Sequence, residues 1–341
     1  MAIGLESPQD APAQSETKNR LRIVLFDSHG EDRLLQGLSD LEGLVPAESQ
    51  LLWIDLLGSE EDSIDRIAEL CSLPKDVANA LKQADAAPKL INSGKFFALQ
   101  VVAITHHDAV RFQGSALTIA AGANMVISAH ADQIDFIDQI TMREGGETAL
   151  GSLSSASFTA SLLDWHLSTY FDAVAHFELA VERLEVAVLS ERPRDCLDDL
   201  RDLRKGASRL RRMLAPHRVV FSGLSRPDFR PQDGQLIDQH FLTVDGRFER
   251  AMDMVENTRD LVVGSFELFS TRAVLATNDQ MRVLTFVTVL IGVLAFIAGV
   301  LGMNFDAPFF HTGVTGFWAS VVAMIVLTGI AIVIGKWKKW M

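Results

Sequence analysis

Five carboxylates, Glu249, Asp253, Glu256, Asp260 and Glu267, recur at spacings of 4, 3, 4 and 7 residues. In a helix those intervals place them along one face. A row of oxygen ligands suits hard divalent cations, and Mg²⁺ in particular keeps part of its water shell when it binds. The row therefore reads as a carboxylate-lined approach for hydrated divalent cations, closed into rings if the helix oligomerises. A solvated helix face gives the same spacing. A second set follows at intervals of three or four: Asn278, Met281, Leu284 or Thr285, Thr288, Gly292 and Ala295. A ring of Asn278 amides would offer neutral oxygens to a cation or its waters. Met281 and Leu284 would form an apolar constriction able to gate by dewetting. Plain helix packing uses the same spacing, so the set points to chemistry only through its surroundings.

Those surroundings are two apolar stretches. Residues 283–301 run without a charge, and so do residues 317–335. At ~1.5 Å per residue each is about 28 Å long, close to the hydrocarbon thickness of a bilayer. Their polar positions are almost all Ser, Thr and Gly, which transmembrane helices tolerate. Arg272 and Arg282 precede the first span, and Lys336, Lys338 and Lys339 follow the second. The intervening loop, residues 302–316, has no Lys or Arg, so the positive-inside rule puts both chain ends in the cytoplasm. Trp318, Trp337 and Trp340 stand where interfacial anchors belong. Two spans cannot enclose a pore in one monomer. Conduction would require a symmetric assembly with one helix from each subunit on the axis.

Composition agrees with that division. The 341 residues carry a formal charge of −13, which excludes the basic footprint of a generic nucleic-acid binder. Yet the mean hydropathy is +0.18. The two spans carry the apolar excess. The first 282 residues hold 28 Lys and Arg against 43 Asp and Glu, about −15, a field that attracts cations. Two cysteines, Cys71 and Cys196, argue against a disulfide scaffold.

The elements ahead of the spans divide as follows. Residues 1–20 are polar with no apolar core of a signal peptide, and read as a disordered tail. Residues 21–145 alternate strand and helix patterns: strands at 20–26, 51–56, 95–105, 116–120 and 124–130, with Gly122 between the last two, and a helix over 59–73. His106-His107-Asp108 reads as a polar loop. Residues 146–234 form a helical hairpin region, with helices at 160–190 and 196–214, broken by Pro193 and ended by Pro216 and the Pro227–Pro231 stretch. From Gln235 no proline intervenes before Pro308. One stalk helix over 235–301 is expected, running into the first span and needing a partner along its side.

The end of the first span decides between transport chemistry and packing. Ala298-Gly-Val-Leu-Gly-Met-Asn304 resembles the Gly-Met-Asn signature of the CorA family of divalent-cation transport proteins. Residues 278–285, Phe296-Ile-Ala-Gly299, Asn304-Phe305 and the basic tail 336–341 extend the resemblance. Trp53-Ile-Asp-Leu56 and Pro88-Lys-Leu90 add landmarks upstream. The resemblance implies an α+β cytoplasmic domain with a mixed sheet, a long stalk helix and two C-terminal membrane helices, in a homopentameric funnel in a bacterial-type inner membrane. It implies passive uptake of Mg²⁺, with Co²⁺ and Ni²⁺ also carried, and no cofactor. By position Gly302, Met303 and Asn304 form the outer mouth, with Asn304 receiving the hydrated ion. Asn278, Met281 and Leu284 match the inner pore and gate, with Thr288 and Gly292 on the same face. Glu267 matches an acidic position near the cytoplasmic entrance, and Asp253 and Asp260 extend the row.

Two features depart from the family. Gly292 stands where many members carry a bulky apolar residue. The outer loop holds Asp306 and His311 instead of clustered acids. The stretch Leu210–Arg218 is similar to the ZntB branch, which is linked to zinc. A zinc transporter of the same fold is thus the alternative, with His217 and His311 as its soft-ligand candidates. No GxxxxGK[ST], HExxH or Gly-x-Ser-x-Gly pattern occurs, so no enzyme is expected.

Overall fold

The computed structural model describes residues 20–58, 60–83, 87–108, 110–142, 149–189, 196–229, 235–303 and 313–338. The apolar alternation of the first hundred residues becomes a seven-stranded mixed sheet. Its strands are β1 (Arg20–Asp27), β2 (Arg33–Leu35), β3 (Gln50–Leu57), β4 (Lys89–Ser93), β5 (Phe96–Asp108), β6 (Arg111–Gly122) and β7 (Met125–His130). The order is β2-β1-β3-β7-β6-β5-β4. β3 and β7 pair in parallel, and the other described pairs are antiparallel.

The two faces follow from the period of two. Ile23, Leu25, Leu52, Ile54, Leu56, Ile127 and Ala129 pack on α1 (Glu61–Leu70) and α2 (Lys75–Lys82) through Ile64, Ile67, Val77 and Leu81. The opposite face buries Phe26 and Trp53 against Phe158, whose ring lies 5.7 Å from Trp53. α3 (Asp135–Met142) covers the same face, where Asp138 stands 4.0 Å from Arg22.

A buried polar chain crosses the parallel pair. The Trp53 indole N–H donates to Ser128 Oγ (3.0 Å), and Ser128 donates to Asp55 Oδ1 (2.5 Å). His130 Nε2 lies 3.2 Å from the same carboxylate, and its Nδ1 is 2.6 Å from the Asp132 carbonyl. Both ring nitrogens face acceptors, the arrangement of an imidazolium. Burial alone would lower the His130 pKa, but the hydrogen bond and charge of Asp55 outweigh it and raise it.

Several local expectations needed correction. The helix expected over 59–73 is α1, which stops short of Ser72 at φ 52°, and Pro74 opens a further helix, α2, that the pattern did not announce. Gly122 does not form the last turn: it is the final residue of β6, where an added Cβ would run into the Phe96 ring. The turn is Ala123-Asn124, with Asn124 at φ 53°. His106-His107-Asp108 extends β5 and does not form a loop. α4 (Ser155–Leu189) starts five residues before the apolar pattern does, because Ser154 Oγ caps it by accepting from the Ser157 N–H (3.1 Å). After α5 (Leu197–Leu214), Pro216 does not end the hairpin. It sits in a 3₁₀ turn (Ala215–His217) that feeds α6 (Arg218–Leu224).

α7 runs unbroken from Gln235 to Leu301. Its 67 residues span about 100 Å. α8 (Gly313–Trp337) follows. Contacts divide the chain into two compact units. One holds the residues up to Arg183 with Asp198–Val263, and the other Leu184–Leu197 with Gly264–Met341. In the first unit α7 buries Phe241, Val244, Phe248, Met252, Val255 and Val262, the three-four rhythm of an amphipathic helix. In the second unit the last buried position of α7 is Ser265, whose hydroxyl donates to Glu185 (2.8 Å). The second unit also holds Gly335 of α8, where a Cβ would sit 3.1 Å from the Phe286 ring.

Candidate functional site

The acidic row lies on α7, but its members differ. Glu249 forms a two-bond pair with the Arg218 guanidinium (2.7 and 3.1 Å), and Glu256 lies 3.8 Å from Arg211. These two carboxylates are therefore neutralised by α6 and α5 of their own chain. Asp253, Asp260 and Glu267 are exposed and make no ion pair among the described residues. The sequence pattern alone gave five equivalent acids. The arginines that divide them are distant in the chain, so helix spacing carried no signal of the pairing.

At 3.6 residues per turn, Glu267, Asn278 and Gly292 of the second unit fall within about 40° of one another around the α7 axis, and Asp253 and Asp260 of the first unit within about 20°. In the second unit an open carboxylate, a neutral amide and a small residue thus share one face of α7. Met281 (60% exposed) borders it, and Leu284 (65% exposed) lies farther round the helix. Thr285 and Thr288 donate their hydroxyls to the carbonyls of Met281 and Leu284, each at 2.8 Å. Their protons are spent on the helix itself, and only oxygen lone pairs face outward. Phe266, Phe269, Ala273 and Val274 line a shallow groove of about 320 Å³ that reaches Asn278.

α7 closes at Leu301. The Gly302 N–H donates to the Ala298 carbonyl (2.9 Å) and to Gly299 (3.2 Å), and Met303 donates to Val300 (3.3 Å). The last turn tightens as helix ends do. A Cβ at Gly302 would lie 3.3 Å from the Ala298 oxygen, a tight approach that glycine avoids. Met303 is half-exposed at this end. Asn304, Asp306 and His311 lie outside the described residues.

His217 is not an available soft ligand. It is fully buried in the first unit, its Nε2 accepts from the Val102 N–H (2.7 Å), and its Nδ1 faces the Leu214 carbonyl (3.1 Å). No group of three or more His, Cys, Asp or Glu placed to hold a metal occurs among the described residues.

α7 and α8 are long and apolar enough to cross a membrane, and their apolar windows are unburied. With a mixed-sheet domain ahead of them and an acid-to-amide stripe on the first, the architecture is that of a membrane transporter for divalent cations. The chain belongs to the CorA family: the family model described as CorA-like Mg²⁺ transporter protein matches residues 48–335. The cobalt/magnesium transport protein CorA of Thermotoga maritima is 24% identical over 308 residues, covering 89% of this chain and 88% of that protein. The complete structure of the CorA magnesium transporter from Methanocaldococcus jannaschii superposes with a TM-score of 0.70 at 19% identity, covering 94% of this chain and 98% of that one. Full-length CmaX gives 0.69 at 16% identity over 93% and 99%. At these identities the structures speak for the fold.

Proposed function

We propose that the chain forms a homopentameric channel for passive Mg²⁺ uptake, with Co²⁺ and Ni²⁺ also carried, in a bacterial-type inner membrane with both termini cytoplasmic. The reading rests chiefly on the face of α7 in the second unit that carries Glu267, Asn278 and Gly292, an open carboxylate followed by a neutral amide and a small residue. Asp253, Asp260 and Glu267 concentrate the hydrated ion. Asn278 contacts its waters, and Met281, Leu284, Thr288 and Gly292 line the pore and gate. Gly302, Met303 and Asn304 form the outer mouth. Neutral amides suit an ion that dehydrates reluctantly, because outer-sphere contacts leave its waters in place. The relative in Thermotoga maritima, a cobalt/magnesium transport protein, supports the choice of ions. The absence of Lys and Arg between the spans supports the orientation.

The test is ion flux into proteoliposomes, comparing Mg²⁺, Co²⁺, Ni²⁺ and Zn²⁺ with and without a pH gradient. Mg²⁺ entry without a gradient is expected, and Asn304→Ala in an intact oligomer should abolish it. Flux confined to Zn²⁺ would replace the magnesium reading with the zinc one. Flux that survives Asn304→Ala would remove the mouth assignment.

A further inference from the structure

We propose that the buried histidine pair His166–His217 is a proton-sensing joint, which loosens the packing of α4, α6 and α7 in the first unit when the surrounding pH falls. His166 is fully buried on α4, and neither of its ring nitrogens has a hydrogen-bond partner among the described residues. A neutral imidazole always carries one N–H, so this position holds a donor that none of those residues meets, in an apolar nest. Aromatic rings surround it: Tyr170 edge-on at 5.4 Å, His217 at 5.1 Å and Phe221 stacked at 6.5 Å. Phe221 in turn stacks on Phe248 of α7 at 4.6 Å. Tyr170 and His217 both bond the Val102 backbone of β5. The pair therefore sits where β5, α4, α6 and α7 meet.

A shared metal is not the explanation of the unmet imidazole. His217 accepts through Nε2, so its proton is on Nδ1 and donates to Leu214, and neither nitrogen is free to ligate. Protonation is the remaining chemistry. The titratable groups facing His166 are Tyr170 on its own helix and His217 from the turn before α6. Of the charged groups on the surrounding helices, Asp164 of α4 holds Arg247 of α7 at 2.6 Å and Arg218 of α6 holds Glu249 of α7, while Asp253 of α7 is exposed. Asp245 of α7 also lies on that helix, and exerts no resolved influence on either histidine. β5 contributes the Val102 N–H to His217 and the Ile104 N–H to Thr169 of α4. Among the described residues no carboxylate bonds either imidazole.

Burial pushes both imidazoles down, His217 to about 4 and His166 well below the ordinary value of 6.5, the latter also through the charge of His217. The depressed direction sets the sign. The stability contributed by the neutral pair is full above about pH 6.5 and is lost as pH falls toward 4. Each histidine that binds a proton only in the opened state raises the opening constant up to about tenfold per pH unit in that window.

The experiment is hydrogen exchange on the full-length protein in nanodiscs between pH 7.5 and 5, corrected for the intrinsic pH dependence of exchange. It reads the α4 amides around His166 and the α7 amides around Phe248, and needs no transported ion, so its outcome is independent of the channel reading. Opening in the unaltered protein should climb more steeply than about tenfold per pH unit. His166→Phe, which fills the nest without a proton, should open less at every pH and keep only the slope of His217. A slope equal to that of the unaltered protein overturns the proposal. If His166→Phe does not fold, His166→Gln replaces it. Gln cannot titrate and must also flatten the slope, and failure to do so equally overturns the proposal.

Discussion

The two parts of α7 differ in what satisfies them. Up to Ser265 the helix buries a residue every third or fourth position inside its own chain, and its acids at 249 and 256 meet arginines of α6 and α5. Beyond Ser265 the same helix presents Val274, Leu275, Leu284, Ile291 and Phe296 unburied. One continuous backbone thus carries two solvents' worth of sequence. The first part is completed by tertiary packing. The second is completed by the membrane, which supplies the apolar surroundings that the chain itself does not.

That contrast can be tested from its strongest consequence to its weakest. In the packed unit, Trp53→Ala should cost about 3–5 kcal/mol, because it empties a fully buried ring site and takes the indole donor from Ser128. A denaturant titration of the protein in micelles measures it, and a loss under about 1 kcal/mol would contradict the packing described. In the apolar part, Phe296→Arg should cost about 2.5–3.5 kcal/mol of membrane insertion. The same change at an exposed site of a water-soluble helix would be nearly silent. Carbonate-resistant membrane retention separates the two, and unaltered retention would break the comparison.

A smaller effect is expected from His130. Its raised pKa means that the Asp55 pairing contributes fully below the ordinary histidine value of 6.5 and is lost as pH rises through the raised one. Melting temperature should therefore fall on the alkaline side of that window, and His130→Gln should flatten the fall. An equally steep alkaline fall in the variant would remove His130 as the cause. The smallest effect belongs to Glu249→Gln. The Arg218–Glu249 pair is about half exposed on both sides, so its loss should cost under about 1 kcal/mol and leave ion flux unchanged. A large flux defect would return Glu249 to the ion path.

The sequence by itself determined the large elements and their order. Absence of charge over 283–301 and 317–335 was enough for the spans, because a bilayer accepts almost nothing else. Absence of proline and a sustained helical period were enough for α7, from Gln235 to Leu301. The Gly302-Met303-Asn304 triplet at the end of the first span was enough for the family. Only the tertiary structure decided which acids of the row are open and which are neutralised, because Arg211 and Arg218 reach α7 across a fold and not along a helix. It alone closed His217 to ligation and buried His166 beside it. The physical reason is the same in each case. Helix period and hydropathy are local and repeat along the chain, whereas pairing and burial depend on residues that only folding brings together.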